Sequence, residues 1–301
     1  MKNHFRPLYD NAYVVLPAAS LMWAGNSIIG KVAIGQVTPM GLTFMRWVIV
    51  CWILALFYRK EARAALPILL PRWRWVVAMS LLGYTAFNAL VYVAAHHTSG
   101  INLTMLQACI PIFVLIGGAI LFRSRIGGLQ AIGTLMALVG VVVVATKGDF
   151  DRLAGLRFNI GDIYILIACA LYAGFTLGLR YRPAVSGFSL FIWFAIVALI
   201  GSAPLLAYEV LQGEFFWPTP LGWLMLAYIG LCPSLLSQIF YIRGVELIGP
   251  ARAGLFINLI PVFGALMAVV LLGEPFAFAE VTSATLVFGG IAMAEFGKGK
   301  A

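Results

Sequence analysis

The chain has 301 residues, of which 62% are hydrophobic and only 10% charged, with a formal net charge of +9 and a mean hydropathy of +0.99. So small a polar fraction excludes a water-soluble domain and points to a polytopic helical bundle, because in lipid a helix satisfies its own backbone. The basic excess needs no nucleic-acid partner, since anchoring against anionic membrane lipid accounts for it.

Ten segments are long enough to cross a hydrocarbon layer of about 30 Å, which takes roughly 20 helical residues at about 1.5 Å each. In chain order they are 11–30, 39–58, 75–95, 98–122, 128–146, 160–179, 187–208, 221–242, 250–272 and 277–296. The first runs beyond a secretory h-region and reads as a retained helix. The longest polar stretches, 59–74 and 147–159, leave no soluble domain, so 1–301 reads as a single membrane domain. Lys and Arg alternate across the connections. One face, with both termini, carries fifteen and the other four, Arg46 within the second span being the twentieth. That bias predicts cytoplasmic termini. Cys51, Cys109, Cys169 and Cys232 lie in separate spans, so neither a disulfide framework nor a metal site is expected, and no cofactor.

The two halves repeat each other. Trp23-Ala24-Gly25 in the first span matches Tyr172-Ala173-Gly174 in the sixth, at an offset of 149. Ile110-Pro111-Ile112-Phe113 matches Ile260-Pro261-Val262-Phe263 at 150, where Asn88 also meets Gln238, Gly140 meets Gly290 and Gln130 meets Glu280. The expected fold is therefore all-α, with ten transmembrane helices as two five-helix repeats, 11–146 and 160–296. An odd number of spans per repeat turns the second repeat upside down. That architecture suits alternating access to a midplane site.

These residues resemble the ten-helix, EamA-type members of the drug/metabolite transporter superfamily. The resemblance rests on Trp23-Ala24-Gly25, Phe44-Met45-Arg46-Trp47, the two prolines each followed by an aromatic, and Leu272-Gly273-Glu274-Pro275. Arg123-Ser124-Arg125 departs from it where an acidic-proline turn would stand. Size and aromatic richness are most similar to YddG-like bacterial amino-acid exporters. The resemblance implies a multi-pass protein of the bacterial inner membrane that exports small amphipathic metabolites, aromatic and other apolar amino acids first among them. Drugs or other metabolites are the alternative cargo on the same fold.

Polar side chains inside spans mark the candidate site. Arg46 either binds a substrate carboxylate or serves structurally, on carbonyls or an acid such as Glu280. Tyr84, Asn88 and Tyr92 share one face of the third span by their spacing of four. Asn26 and Ser27 follow in the first span, Asn102 and Gln107 in the fourth, Ser234, Ser237, Gln238 and Tyr241 in the eighth, and Asn258 in the ninth. Phe175 offers a ring for stacking. The expected substrate-binding set is thus Asn26, Arg46, Tyr84, Asn88, Tyr92, Asn102, Gln107, Phe175, Gln238, Tyr241 and Asn258. Interhelical hydrogen bonding is the competing role for each. Pro111 and Pro261 are expected to kink their helices near mid-span as hinges. Gly133 and Gly140, and Gly264 with Ala268, offer smooth faces for helix contact.

No acidic residue lies near the centre of a span, and His96 and His97 sit at a span end. Protons are therefore a coupling partner only through groups at the ends, and uncoupled facilitation is the other reading. An intramembrane enzyme would need a catalytic constellation that this chain lacks. A channel would need a filter-like loop, and none repeats.

Overall fold

The computed structural model describes residues 6–33, 35–95, 97–98, 106–123, 126–146, 148–149, 151, 159–272 and 278–296. Within these ranges the side chains at 6–7, 27–28, 30–32, 92, 95, 268–269, 271–272, 280 and 295–296 are not described. The described residues contain helices and no strand. Ten helical spans follow one another: α1 (Ala12–Val32), α2 (Pro39–Phe57), α3 (73–95), α4 (Ile110–Phe122), α5 (Gly128–Thr146), α6 (Ile160–Gly178), α7 (Gly187–Leu211), α8 (220–248), α9 (250–272) and α10 (Phe278–Phe296). Seven helical stretches meet a strict length and hydropathy test for crossing a membrane. Ile110–Phe122 and Val281–Ala294 are shorter apolar helices, and α1 completes the ten.

The spans begin where the chain offers caps. Asn159 and Asp162 form a reciprocal capping box at α6, Ser186 caps α7, and Thr219 caps α8 ahead of Pro220. Each satisfies N–H groups that a helix start leaves unpaired. At α2 the Thr38 side chain makes no cap. Glu209 of α7, itself only 5% exposed, supplies one instead, accepting from Met40 N–H at 2.9 Å and Gly41 N–H at 3.0 Å.

One polar connection is more than a loop. Residues Arg59–Leu69 form an amphipathic helix with Ala65 and Leu69 buried, the signature of a helix lying in the membrane interface. Trp193 of α7 donates its indole N–H to Ala62 O at 3.1 Å and pins that helix in place.

The packing follows an exchange of repeats. α1 packs on α8 and α9, and its counterpart α6 packs on α3 and α4. α2 packs on its counterpart α7, and α5 on its counterpart α10. Each repeat thus lays its first helix against the other repeat's third and fourth. Five crossings per repeat invert the second relative to the first, so both ends of the bundle lie on one side, called here the terminal face. There Arg243 at the end of α8 pairs with Asp10 at 2.6 Å and with Glu246 at 2.8 Å. On the opposite face the equivalent corner of α3 and α6 is closed by Thr98, which donates to Asp162 at 2.5 Å.

Three spans depart from regular winding, and the departures match between repeats. α3 widens into a π turn over Leu81–Ala86, and α8 does so over Gly230–Leu236. A turn at 108–109 precedes α4, and a 3-10 turn, Phe256–Asn258, interrupts α9. Pro111 and Pro261 are therefore not mid-helix kinks. Each stands in the first turn of the segment after the break, where a missing N–H is harmless. The carbonyls just upstream find side chains. Ser20 Oγ donates to Phe256 O at 2.8 Å, and Cys169 Sγ donates to Leu106 O at 3.4 Å. Ser20 and Cys169 are equivalent at the offset of 149, and Leu106 and Phe256 at 150, so the two bonds are one bond repeated.

The α5–α10 seam is set by small residues. A Cβ on Gly133 would fall 2.4 Å from Gly290 O, and one on Gly290 would fall 2.5 Å from Gly133 O. Gly140 lies against Val287, Leu286 and Ser283. Gly264, expected to do the same on α9, has nothing within 4 Å of its Cβ position. Because backbone atoms cannot yield as side chains do, Gly133→Ala and Gly290→Ala should each destabilise by about 1–3 kcal/mol. Gly264→Ala should leave stability unchanged. Thermal melting of the detergent-solubilised protein measures the difference.

Candidate functional site

Near the middle of their spans, α1, α2, α3, α4, α6, α8 and α9 line a cavity of about 90 Å³. Its lining comes in repeat-related pairs. Trp23 faces Tyr172, Asn88 has Gln238 as its counterpart, Ile110 has Ile260, and Gln107 has Ile257. Of the residues that betray the duplication in sequence, Trp23, Tyr172, Asn88, Gln238, Ile110 and Ile260 thus converge on one chamber. Trp23 and Tyr172 meet edge to face with centroids 6.4 Å apart.

Arg46 breaks that symmetry. Its counterpart at the offset of 149 is Ala195, so the chamber receives one cation and no second. Arg46 is 3% exposed and lines the cavity. Its Nε donates to Ser234 Oγ at 2.8 Å, and one terminal nitrogen donates to Asn88 Oδ1 at 3.4 Å. The guanidinium also lies 5.4 Å from the ring centre of Trp47. Among the described residues no carboxylate pairs with it, and the Glu280 side chain lies outside them. Five guanidinium N–H donors less two in use leave three.

The brace under Arg46 begins with a proline. Pro233 has no N–H for the carbonyl of Ile229, four residues back, and the π turn forms across this point. Ser234 Oγ donates to that carbonyl at 2.5 Å and accepts from Arg46 on its other side. Asn88 is likewise committed: its amide nitrogen donates to Tyr84 O at 2.6 Å while its oxygen receives Arg46. Trp23 closes the arrangement by donating to Pro233 O at 3.1 Å.

Five of the sequence candidates line the cavity: Asn26, Arg46, Asn88, Gln107 and Gln238. Tyr84, Phe175 and Tyr241 do not. They lie about one helical turn toward the terminal face, fully buried, as an aromatic floor. Tyr84 and Phe175 stand 5.2 Å apart between centroids, and Tyr241 shares a 3.0 Å hydrogen bond with Thr176. Asn258 is buried off the cavity. The 3-10 turn brings Ile257 and Ile260 to one face three residues apart and turns Asn258 away. The Tyr92 side chain and Asn102 lie outside the described residues. Pattern reading passed over Trp23, Gly83, Phe87, Ile110, Tyr172, Ile257 and Ile260 as lining residues. Their repeat-matched positions carried the signal for four of them.

Comparison with known proteins supplies the family. The EamA-like transporter family matches residues 11–146 and again 159–296. The chain belongs to that family. It is a multi-pass membrane transporter and not an enzyme. The EamA chain is 23% identical to the uncharacterized transporter YyaM of Bacillus subtilis, over 93% of this chain and 92% of that one. It is 24% identical to a "Probable amino-acid metabolite efflux pump" of Salmonella typhimurium, covering 92% of each. A solved crystal structure superposes with a TM-score of 0.74 at 19% identity, over 95% of this chain and 96% of that one. That likeness speaks for the EamA fold alone.

The brace is testable apart from transport. Ser234→Ala leaves a buried guanidinium N–H and the Ile229 carbonyl both unpaired, and should destabilise by about 1–3 kcal/mol. Ser237→Ala, which removes only a bond to its own helix carbonyl at Cys232, should lower the melting temperature less.

Proposed function

We propose that this protein is a carrier of the bacterial inner membrane that exports small amphipathic metabolites by alternating access, aromatic and other apolar amino acids first among them. The single observation that carries the reading is the chamber near mid-span, walled by repeat-related residues of an inverted pair. Such a pair can exchange the shapes of its halves and so open the same chamber to either side. Trp23, Phe87 and Tyr172 offer rings to an apolar side chain. Arg46, Asn26, Gln107 and Gln238 offer polar groups to a carboxylate and an ammonium. The efflux assignment of the Salmonella relative supports the direction and the amino-acid cargo.

In this reading the chain is one membrane domain over 1–301, with repeats 11–146 and 160–296. The fifteen-to-four division of Lys and Arg places the terminal face in the cytoplasm, where anionic lipid meets it. The aromatic floor then closes the chamber on the cytoplasmic side. The described residues lining the cavity include no carboxylate and no histidine, which favours facilitated flux over proton coupling through the chamber.

Reconstitution into proteoliposomes tests this. Preloaded liposomes should show saturable counterflow of radiolabelled phenylalanine or leucine, and an imposed pH gradient should not drive accumulation. A non-saturable flux would mark a channel, and accumulation tied to the gradient would require a proton site elsewhere. Replacing Asn88 by Ala removes one brace of Arg46 and should raise the half-saturating concentration several-fold.

A further inference from the structure

Among the described residues that line the cavity, Arg46 alone bears a charge. It is nearly fully buried, its partners among the described residues are a hydroxyl and an amide oxygen, and three of its N–H donors find no acceptor among them. A desolvated cation with neutral partners attracts an anion strongly and repels a second cation. The unused donors belong to the two terminal nitrogens, the fork that pairs with a carboxylate through two parallel bonds. Ser234 holds Nε and Asn88 one hydrogen of a terminal nitrogen, so the guanidinium is oriented before a ligand arrives.

The rest of the lining is permissive toward an amine without requiring one. Gln238 Oε1 is buried with no donor among the described residues, and the rings of Trp23 and Tyr172 line the cavity. Each can take an ammonium, but none is a counter-ion, so an ammonium adds little where Arg46 already sets the local potential. A ligand with an ammonium and no carboxylate finds these neutral partners but no counter-ion, and the repulsion of Arg46 outweighs them.

Resting on the carrier reading above, we propose that the cavity is a carboxylate site: the cargo's carboxylate sits on Arg46, its apolar body lies against Trp23 and Tyr172, and amines lacking a carboxylate are excluded. This names the substrate class as small apolar carboxylates, whether zwitterions or monoanions, and sets aside cationic drugs, which the same fold otherwise admits.

Three molecules with one phenyl body separate the charges: phenylalanine as the zwitterion, phenylpyruvate as the monoanion and phenethylamine as the cation. Leucine, 4-methyl-2-oxopentanoate and isoamylamine repeat the series on an aliphatic body. Binding is read by ligand-induced thermal stabilisation of the detergent-solubilised protein, and independently by Trp fluorescence, since Trp23 lines the cavity. Both carboxylates of at least one series should stabilise, and neither amine should. Arg46→Gln should weaken carboxylate binding at least about 30-fold, the effect of losing a buried charge-assisted pair. Asn88→Asp places a carboxylate where an amide oxygen now meets Arg46. It should abolish the ligand response while the protein still unfolds in one cooperative transition, the new ion pair with Arg46 offsetting the lost bond to Tyr84 O, which separates loss of the site from loss of the fold. Stabilisation by the amines, an unchanged response in Arg46→Gln, or no stabilisation by any carboxylate overturns the proposal. Saturable counterflow of an amine would overturn it too, while leaving the carrier reading intact. Absence of counterflow with every member, despite carboxylate binding, would sink the carrier reading instead.

Discussion

A backbone carbonyl in lipid must find a donor, and this bundle is shaped by how it meets that demand where its helices break. Hydrocarbon provides no water to rescue an unpaired group, so irregular winding survives only where protein supplies the missing partner. Ser20 on α1 does so for Phe256, Cys169 on α6 does so for Leu106, and Ser234 on α8 does so for Ile229. The first two are the same solution found once in each repeat, with sulfur standing where oxygen stands in the other. Each also crosses between repeats, fastening α1 to α9 and α6 to α4. The breaks are therefore joints whose position is fixed by the partner helix as much as by the proline beside them.

From that demand the charged centre follows. Pro233 withholds an N–H, the helix widens, and the hydroxyl that repairs the gap becomes the acceptor that orients Arg46. A guanidinium taken from water is expensive to leave without a counter-ion. Among the described residues its partners are neutral, so the proposed site favours an anion. The two-fold arrangement supplies four matched pairs of wall residues, and Arg46, which has no such match, supplies the charge. A symmetric chamber would bind a ligand equally in two orientations. The single cation makes the two ends of the chamber chemically different.

The fold was legible because the bilayer makes few demands and makes them loudly. Length of apolar run, alternation of Lys and Arg, and an odd count per repeat lead to ten spans and an inverted pair without reference to contacts. The site was legible in part. Arg46 and Asn88 stood out as polar groups in apolar spans, and Gln238 through its match to Asn88. Tyr84 and Tyr241 share that pattern but lie one turn lower, on the two spans widened by π turns, and Phe175, chosen for its ring, joins them from α6. A wide turn leaves no periodic mark beyond Pro233 in α8, and in α3 not even that. Asn258 was lost to a similar change of winding. The helix in the 59–74 connection was readable from Ala62, Ala65 and Leu69, but its basic residues masked it as a loop.

The exchange of helices between repeats has a consequence for how the molecule is made. α1 enters the membrane first, yet its main neighbours, α8 and α9, emerge from the ribosome some two hundred residues later. Until then Ser20 has no foreign carbonyl to meet, Trp23 no platform, and Arg46 no Ser234. The first half must therefore wait in lipid as separate apolar rods, stable as helices but without a tertiary home. The sixth and seventh spans arrive to meet α3, α4 and α2, and α1 waits longest, for α8 and α9.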